Sequence, residues 1–200
     1  MRIMRNRTLT ARAAAKEATH ERIVEVAARA IRRSGYGGTG VADIMKEAGL
    51  THGAFYAHFP SREAMLAEAA DRAGAESVAA SAKVVAAAPR PQVLRALVRA
   101  YLSKTHVQNA EDGCPVAALG SEMPRQAPEV RRAATRRIKE MIDLVSRQSP
   151  DWGQAGAHER ALATVATMVG ALLLARAVDE PALSEAIRKA AVNHLDADGQ

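Results

Sequence analysis

Apolar residues recur at three- and four-residue spacing through most of the chain, which is the period of an amphipathic helix. The first clear run predicts a helix over about residues 13–33, and the glycine-rich segment at 34–38 then ends it. Its inner face consists of Ile23, Val26, Ala27, Ala30 and Ile31. Residues 1–12 contain four arginines and no acid, so we expect a mobile arm without a core of its own.

Two short helices are predicted next. The first covers about 41–48, with Thr39 or Gly40 as its cap, and Gly49 ends it because a sharp turn favours a residue that tolerates positive φ. Thr51 is a good N-cap for the second, at about 52–58. Two short helices joined by a tight turn, with a longer helix in front, form a helix-turn-helix pattern.

The aromatic residues support a small separate unit at this point. Both phenylalanines and one of the three tyrosines lie within positions 55–59. Phe55 and Phe59 are four apart, so they can fill a small interior together. Tyr56 lies about 100° around the helix from Phe55, which places its hydroxyl at the rim, within reach of a phosphate.

The rest of the chain is also predicted to be helical, which makes the fold class all-α. Ser61 caps a long helix over about 62–88. Further helical segments are expected at 92–107, 116–123, 129–148, 158–178 and 182–194. The segment 158–178 is apolar on nearly all sides, so one face serves the core and a second face needs a partner. A central core helix of a monomer is the alternative.

The net charge of +6 lies entirely in the first third of the chain. Residues 1–62 hold 11 Lys or Arg against 5 Asp or Glu, whereas residues 63–200 hold 17 of each. This asymmetry indicates a region that faces a polyanion, attached to an electrically balanced body. A basic surface that only aids solubility is the alternative.

No segment resembles a secretory signal, and the most apolar run, 161–175, is too short for a membrane span, so we expect a cytoplasmic protein. The single cysteine, Cys114, excludes an internal disulfide. Its place beside a predicted helix start suits either a redox or electrophile sensor or a buried structural thiol.

One stretch matches a known family. The sequence GYGGTGVADIMKEAGLTHGAFYAHFPSREAML resembles the N-terminal DNA-binding segment of the TetR family of bacterial transcriptional repressors, and the likeness covers about residues 23–66. Two positions depart from that family's pattern. Gly40 stands where Ser or Thr often caps the second helix, and Ala64 stands where Glu often completes a capping box.

The resemblance implies a DNA-binding head over residues 1–60 and an effector-binding and dimerisation domain over 61–200. It implies that the segment at 52–58 enters the major groove, where small residues allow close approach. The expected DNA-binding residues are Thr39, Thr51, His52, Gly53, Ala54, Tyr56, His58 and Arg62. Arg5, Arg7 and Arg12 could follow the DNA backbone, or they could belong to a disordered arm.

The resemblance also implies a small-molecule effector and a homodimer formed by helices 158–178 and 182–194 as a four-helix bundle. The expected pocket residues are Met65, Leu66, Val98, Tyr101, Leu102, Cys114, Leu119, Met123, Met141 and Trp152. Apolar residues at helical spacing also suit a plain core. The implied function is a repressor that binds a palindromic operator as a dimer and is released by a largely apolar effector.

An enzyme is not expected. Cys114, His106 and His158 lie on separate predicted segments, without a nucleophile elbow, a phosphate loop or paired metal-ligand spacing. Neither a cofactor nor a metal is predicted. A nonspecific architectural DNA-binding protein is the second alternative, although it would leave a neutral body of about 140 residues unexplained.

Overall fold

The computed structural model describes the backbone of residues 2–149 and 152–197, and the side chains of 11–149 and 152–196. All regular structure within those ranges is helical. The α-helices are α1 (Arg2–Ser34), α2 (Val41–Glu47), α3 (Arg62–Ala87), α4 (Val93–Tyr101), α5 (Lys104–Gln108), α6 (Pro115–Leu119), α7 (Pro128–Ser146), α8 (Ala157–Ala177) and α9 (Pro181–Ala197). Short 3-10 helices cover His52–Ala57, Arg90–Gln92 and Met123–Arg125.

Two hydrophobic clusters organise the fold. The first joins α1, α2, the 3-10 helix His52–Ala57 and the start of α3, and the second joins α4, α6, α7, α8 and α9. We call residues 2–61 the head and the described residues from 62 onward the body. The first cluster also includes Leu119, Val130 and Ala133 from the body, so the interior of the head continues into its neighbour. The domain boundary at residue 60 stays a prediction.

The start of the chain differs from the prediction. The backbone of α1 is helical from Arg2, where an irregular arm was expected up to residue 12. No Gly or Pro interrupts residues 2–34, so nothing in the local sequence stops the helix before Gly35. The side chains of Arg5 and Arg7 lie outside the described residues, and that of Arg12 is exposed.

The turn after α2 forms as the sequence predicts. Gly49 has a φ of 71°, its N–H donates to the carbonyl of Lys46, and the N–H of Leu50 donates to that of Met45. This is the Schellman arrangement, which requires a left-handed residue after the helix. At the other end of α2, Gly40 holds the N-cap position, which is one of the two predicted alternatives, and it makes no side-chain capping bond.

One helix prediction in the body is wrong, and another is confirmed. The single helix expected over 92–107 is wrong, since the chain breaks after Tyr101 and restarts as α5, where the Ser103 hydroxyl accepts the N–H of His106. A serine N-cap is a local signal for such a restart. The long helix α3 is confirmed with Ser61 as its cap, accepting the N–H of Ala64.

Helices α3 and α7 form the axis of the body and approach closely. A Cβ placed on Gly74 of α3 would lie 2.5 Å from the Cβ of Arg137 on α7. Only glycine permits that separation, because real Cβ atoms do not approach so closely. The guanidinium of Arg137 donates to both carboxylate oxygens of Asp71 on α3, which fixes the crossing.

Candidate nucleic-acid interface and ligand cavity

The tip of the head is an exposed turn of 3-10 helix. Thr51, His52 and Gly53 are exposed, and the Tyr56 side chain is 72% exposed, the largest exposed fraction among the large hydrophobic residues described. A short helix therefore forms after α2 where the sequence predicts one, and it has 3-10 geometry throughout His52–Ala57. Thr51 occupies the N-cap position with no side-chain capping bond, which leaves its hydroxyl for another partner.

The aromatic residues hold this turn against the rest of the head. Phe55 and Phe59 are buried and stacked with their ring centroids 5.5 Å apart, and His20 of α1 stacks on Phe59 at 4.4 Å. Tyr56 meets Phe55 edge to face at 5.2 Å. One side of the turn is therefore fixed in a packed core while the other side is presented outward.

Gly53 leaves open space at the centre of this tip. A Cβ placed there would have no heavy atom within 4 Å, and its φ lies outside the left-handed region. Neither the packing nor the conformation of the chain therefore requires glycine at this position. An external surface that approaches the backbone closely would require it.

Two of the predicted DNA-binding side chains face inward. Thr39 is 4% exposed, and its hydroxyl donates to the carbonyls of Gly35 at 2.6 Å and Ala30 at 3.3 Å. Arg62 donates to the carbonyls of Tyr36 and Thr39. The loop between α1 and α2 therefore uses the Thr39 hydroxyl internally, and DNA contact by Thr39 stays a prediction.

His58 and Ala54 are each partly buried, between the exposed tip and the core of the head. His58 is half-buried, 6.1 Å from His20 between ring centroids, and its Nδ1 atom is buried without a hydrogen-bond partner among the described residues. Burial lowers the pKa of His58, and the positive charges of His20 and Lys16 lower it further. Ala54 packs partly against the head core. His58 therefore supports the tip from its inner side, whereas Ala54 lies between the core and the exposed side.

A cavity of about 50 Å³ lies inside the body. It is bounded by α3, the end of α4, α6, α7 and α8, and its walls are almost entirely apolar. Its lining residues are Ala70, Gly74, Ser77, Val78, Tyr101, Cys114, Pro115, Val116, Met123, Ala134, Arg137, Ile138, Met141, Val165, Met168 and Val169. Ligand sites in proteins are typically concave and lined in this way.

Four of the ten predicted pocket residues line this cavity: Tyr101, Cys114, Met123 and Met141. The other six lie elsewhere. Met65, Leu66 and Leu119 are fully buried in the head cluster, and Val98 and Leu102 belong to the second cluster away from the cavity wall. Trp152 is half-exposed on a separate surface.

The sequence interpretation missed the small residues that make room for the cavity. Ala70, Gly74 and Ser77 follow one another at helical spacing on α3 and form one wall. That spacing of small residues was a usable signal, because small side chains allow a gap or a close approach between helices. It also missed the wall from α8, which includes Val165, Met168 and Val169.

A small polar network surrounds one end of the cavity. The backbone N–H of Cys114 donates to Nε2 of His106 at 2.9 Å, so Nδ1 carries the proton and donates to the carbonyl of Tyr101 at 2.6 Å. Burial lowers the pKa of His106, which keeps this tautomer neutral. Arg176 donates to the carbonyls of His106 and Val107, and burial lowers its pKa.

Among the contacts between body and head, those of Glu122 and Arg32 involve the segment that lines the cavity. Oε2 of Glu122, at the turn after α6, accepts the backbone N–H of Tyr36 at 2.9 Å and that of Gly37 at 3.4 Å. Arg32 is 3% exposed and donates to Glu76 on α3 at 2.7 Å and to the carbonyl of Gly113 at 3.3 Å. The segment 113–123, which lines the cavity, is therefore bonded to the loop that carries α2.

Helices α8 and α9 present apolar side chains on their outer faces. Leu162, Leu174 and Leu183 are each at least 43% exposed, and a Cβ on Gly170 would meet no heavy atom within 4 Å. By length and composition α8 also passes the test for a membrane span, yet its other face packs in the second hydrophobic cluster, as a core helix does. Within the described residues, no group of three or more potential metal ligands is found.

Comparison with known proteins assigns both parts of the chain. Residues 23–69 match the family described as bacterial regulatory proteins of the tetR family. Residues 91–192 match the C-terminal domain of LmrA/YxaF-like transcriptional regulators. The matched head segment includes the whole helix-turn-helix unit, and the second match spans α4 to most of α9.

Curated relatives agree with this assignment. An uncharacterized HTH-type transcriptional regulator of Mycobacterium tuberculosis is 35% identical over 169 residues, which cover 78% of this chain and 83% of the relative. The HTH-type transcriptional regulator LmrA of Bacillus subtilis is 26% identical over 157 residues, with 78% and 82% covered.

Solved structures share the architecture. A TetR transcriptional regulator from Chloroflexus aurantiacus superposes with a TM-score of 0.76 at 25% identity, covering 92% of this chain and 96% of its own. The reduced form of Escherichia coli NemR superposes with a TM-score of 0.75 at 20% identity, with 89% and 95% covered, which shows likeness of fold.

Proposed function

Since the chain belongs to the TetR family of bacterial regulatory proteins, we propose that it is a repressor which a small molecule releases from its operator. Membership of the family makes it a DNA-binding transcriptional regulator rather than an enzyme. A regulator of this kind acts on the chromosome, so we place it in the cytoplasm. The repressing role, the operator, the dimer and the effector belong to the proposal.

The single observation that carries the proposal is the open tip of the head. Gly53 has free space around it and Tyr56 projects beside it, while Phe55 and Phe59 fix the same turn in the core. A fixed, narrow and exposed segment is what insertion into a major groove requires. The excess of basic residues in the first 62 positions supplies attraction to phosphates.

We assign the exposed residues of the tip to two kinds of DNA contact, with bases and with phosphates. We assign Thr51, His52, Gly53 and Ala54 to the end of the segment that approaches the bases, because small residues let the backbone come close. Tyr56 is assigned to a phosphate, which its hydroxyl can reach from the rim. Thr39, His58 and Arg62 hold this surface in place from behind, in accord with their inward contacts.

A dimer is proposed through α8 and α9. The exposed leucines on their outer faces would otherwise be left in water, and the open space at Gly170 permits close helix approach. A two-fold dimer places two heads on one duplex, so the operator would be a near-palindrome with half-sites about one helical turn apart or a multiple of it.

The effector site is proposed to be the cavity in the body. Helix α3 runs from Arg62 beside the head to the cavity wall at Ala70–Val78, and the segment 113–123 connects the opposite wall to the same head. A ligand that widens the cavity would shift both connections and alter the spacing of the two heads. A coupling of about 1–3 kcal/mol would be enough for a useful switch.

The first experiment selects DNA from a random duplex library and measures affinity for the selected sequence and for a scrambled one at the same salt concentration. We expect the selected duplex to bind at least about 1000-fold more tightly. Equal affinities would support the nonspecific architectural alternative and contradict the proposal.

A matched pair of variants tests the tip. Gly53→Val adds bulk where the chain has room, and Gly37→Val does the same on an exposed loop of the head, where a Cβ also meets nothing within 4 Å. We expect the first to weaken operator binding about tenfold or more and the second to leave it nearly unchanged. Comparable losses in both variants would show that the tip is not the reading surface.

Sedimentation of Leu174→Glu tests the dimer. A charge on the outer face of α8 should separate the subunits, whereas Trp152→Glu, also on an exposed apolar residue but outside α8 and α9, should leave the dimer intact. A wild-type chain that sediments as a monomer at micromolar concentration would contradict this part of the proposal.

A further inference from the structure

We propose that the effector is a largely apolar molecule with one hydrogen-bond acceptor oxygen, and that the Tyr101 hydroxyl donates to that oxygen inside the body cavity. This inference rests on the proposed effector site and adds the chemistry of the ligand. Three features support it: the buried, protonated hydroxyl of Tyr101, the positive charge of Arg176 near it, and the apolar walls of the cavity around it.

Tyr101 lies at the C-terminal end of α4 and is 5% exposed, with its side chain on the cavity wall. Its hydroxyl is fully buried and makes no well-formed hydrogen bond among the described residues; the neighbouring Cys114 thiol, which interacts with it, is only a weak partner. Buried polar atoms are normally hydrogen-bonded, since an unmade bond is costly in an apolar interior. A hydroxyl without a well-formed hydrogen bond on the wall of a cavity therefore indicates a binding group.

The hydroxyl is a donor under all ordinary conditions. Burial raises the pKa of Tyr101 well above its usual value, and the neighbouring Cys114 thiol raises it further, so the phenol stays protonated. The cation of Arg176 is near enough to oppose that rise in pKa. A positive charge on this side favours the negative end of the dipole of a ligand, which is an acceptor oxygen.

The other polar side chains of the wall fit a supporting role. Arg137 is already held by Asp71 and Glu140 on its three guanidinium nitrogens. Cys114 offers only a weakly bonding thiol. Ser77 is the second hydroxyl on the wall, on the α3 side, and it provides a control. The remaining lining is mostly aliphatic, which selects an apolar body for the ligand.

The head contains a matched tyrosine. Tyr36 is 1% exposed, its hydroxyl is also buried without a partner among the described residues, and burial together with Glu122 raises its pKa to about 12. It packs in the head cluster and does not line the cavity. The two tyrosines differ because Tyr101 lines the cavity and Tyr36 does not. Only Tyr101→Phe should therefore change which ligand the chain prefers to bind.

The test uses three probes with equal numbers of heavy atoms: acetophenone, α-methylstyrene and benzoate. The first two differ only in having C=O or C=CH₂ at one position, and benzoate carries a charged acceptor.

Methyl-labelled methionine gives the readout by nuclear magnetic resonance, because Met123, Met141 and Met168 line the cavity while Met45 and Met65 lie in the head core. A single ring suits a cavity of about 50 Å³ that must widen to admit a ligand.

We expect acetophenone or benzoate to bind the wild-type chain about tenfold more tightly than α-methylstyrene, with shifts confined to the three cavity methionines. Whichever oxygen compound binds better identifies the acceptor as neutral or charged. Tyr101→Phe should abolish the preference, while Tyr36→Phe and Ser77→Ala should keep it. Circular dichroism should show all three variants folded, since each change removes only a hydroxyl.

The inference is overturned if the three probes bind equally, if none binds up to its solubility limit, or if the preference survives in Tyr101→Phe. These outcomes are separate from the proposed function as a whole, because selection of an operator is measured without any ligand. A chain that binds its operator but shows no preference among probes refutes only the ligand chemistry. A chain that prefers acetophenone but selects no DNA refutes the repressor instead.

Discussion

The head and the body of this regulator are packed in different ways. The head fills its interior with large side chains: Tyr36, Phe55 and Phe59 are each at most 2% exposed, and they pack with Ile44 and Met45. The body encloses a cavity whose walls include Gly74 and other small residues on α3. The difference suits the proposed function, in which a fixed reading surface is attached to a deformable effector-binding body, because a filled core resists change of shape and a cavity allows it.

The contacts between the two regions show how a change in one could reach the other. Glu122 and Arg32 connect the wall of the cavity to the loop and the long helix of the head. Close-packed interiors transmit displacement with little loss, since their side chains have few alternative positions. In the proposed switch, the head would therefore move as a unit when a ligand opens the body, with its own interior unchanged.

The largest expected effect compares two buried methionines. Met65 is 0% exposed in the head cluster, and Met168 is 1% exposed on the wall of the cavity. We expect Met65→Ala to lower the free energy of unfolding by about 2–5 kcal/mol. Met168→Ala should cost about 1 kcal/mol less, because a side chain that faces a gap makes fewer contacts.

Urea unfolding of the two variants measures this difference. Equal losses would mean that the wall of the cavity is packed as tightly as the head, and the contrast between the regions would be lost. Met168→Ala should also admit larger apolar ligands, because it enlarges the cavity.

A second prediction breaks the connection between the regions. Glu122→Ala removes the acceptor for the N–H groups of Tyr36 and Gly37, and we expect a loss of about 1–3 kcal/mol in unfolding free energy. It should also weaken the effect of an effector on DNA affinity. Glu17→Ala, an exposed acid on α1, serves as the control and should change stability by less than about 0.5 kcal/mol. Full coupling in the Glu122 variant would show that the Glu122 contact does not carry the signal.

A third prediction separates two glycines within the head. Gly49→Ala should destabilise the fold by about 1 kcal/mol, because the Schellman turn holds this residue at a φ of 71°. Gly53→Ala should change the unfolding free energy by less than about 0.5 kcal/mol, since the added methyl group meets only open space. Thermal unfolding compares the two, and a larger loss at Gly53 would contradict the described tip.

The smallest expected effect concerns pH. Burial lowers the pKa of both His58 and His106, with added repulsion from His20 and Lys16 for the first and from Arg176 for the second. As pH falls through the ordinary histidine range near about 6.5, the unfolded chain takes up protons that the folded chain resists, so stability falls. Stability is therefore fully present above that range and decreases toward acid.

His106→Gln and His58→Gln should each reduce this acid-induced loss. The contribution of His58 should be the more sensitive to salt, because its neighbouring charges lie near the surface of the head and are screened. Chemical unfolding at several pH values and two salt concentrations measures both effects. A stability that rises toward acid would contradict the described burial of these histidines.

The sequence by itself determined the helical segments, the helix-turn-helix unit and the basic head. These depend on local information: the spacing of Ile44 and Met45, the glycine at position 49, the Ser61 cap and the aromatic residues at 55–59. Each acts over a few residues, so a linear pattern is enough to specify it. The early start of α1 and the break after Tyr101 show that local sequence specifies helix ends less strictly, because capping and propensity compete there.

Only the tertiary structure decided which residues face the cavity and which face inward in the head. Tyr101 and Leu102 are adjacent and both buried, yet only Tyr101 lines the cavity. The sequence position of Thr39 suits DNA contact, yet its hydroxyl donates inward to the carbonyl of Gly35. A cavity is the space left between helices far apart in sequence, and its shape depends on how those helices cross, which periodicity within one helix does not contain.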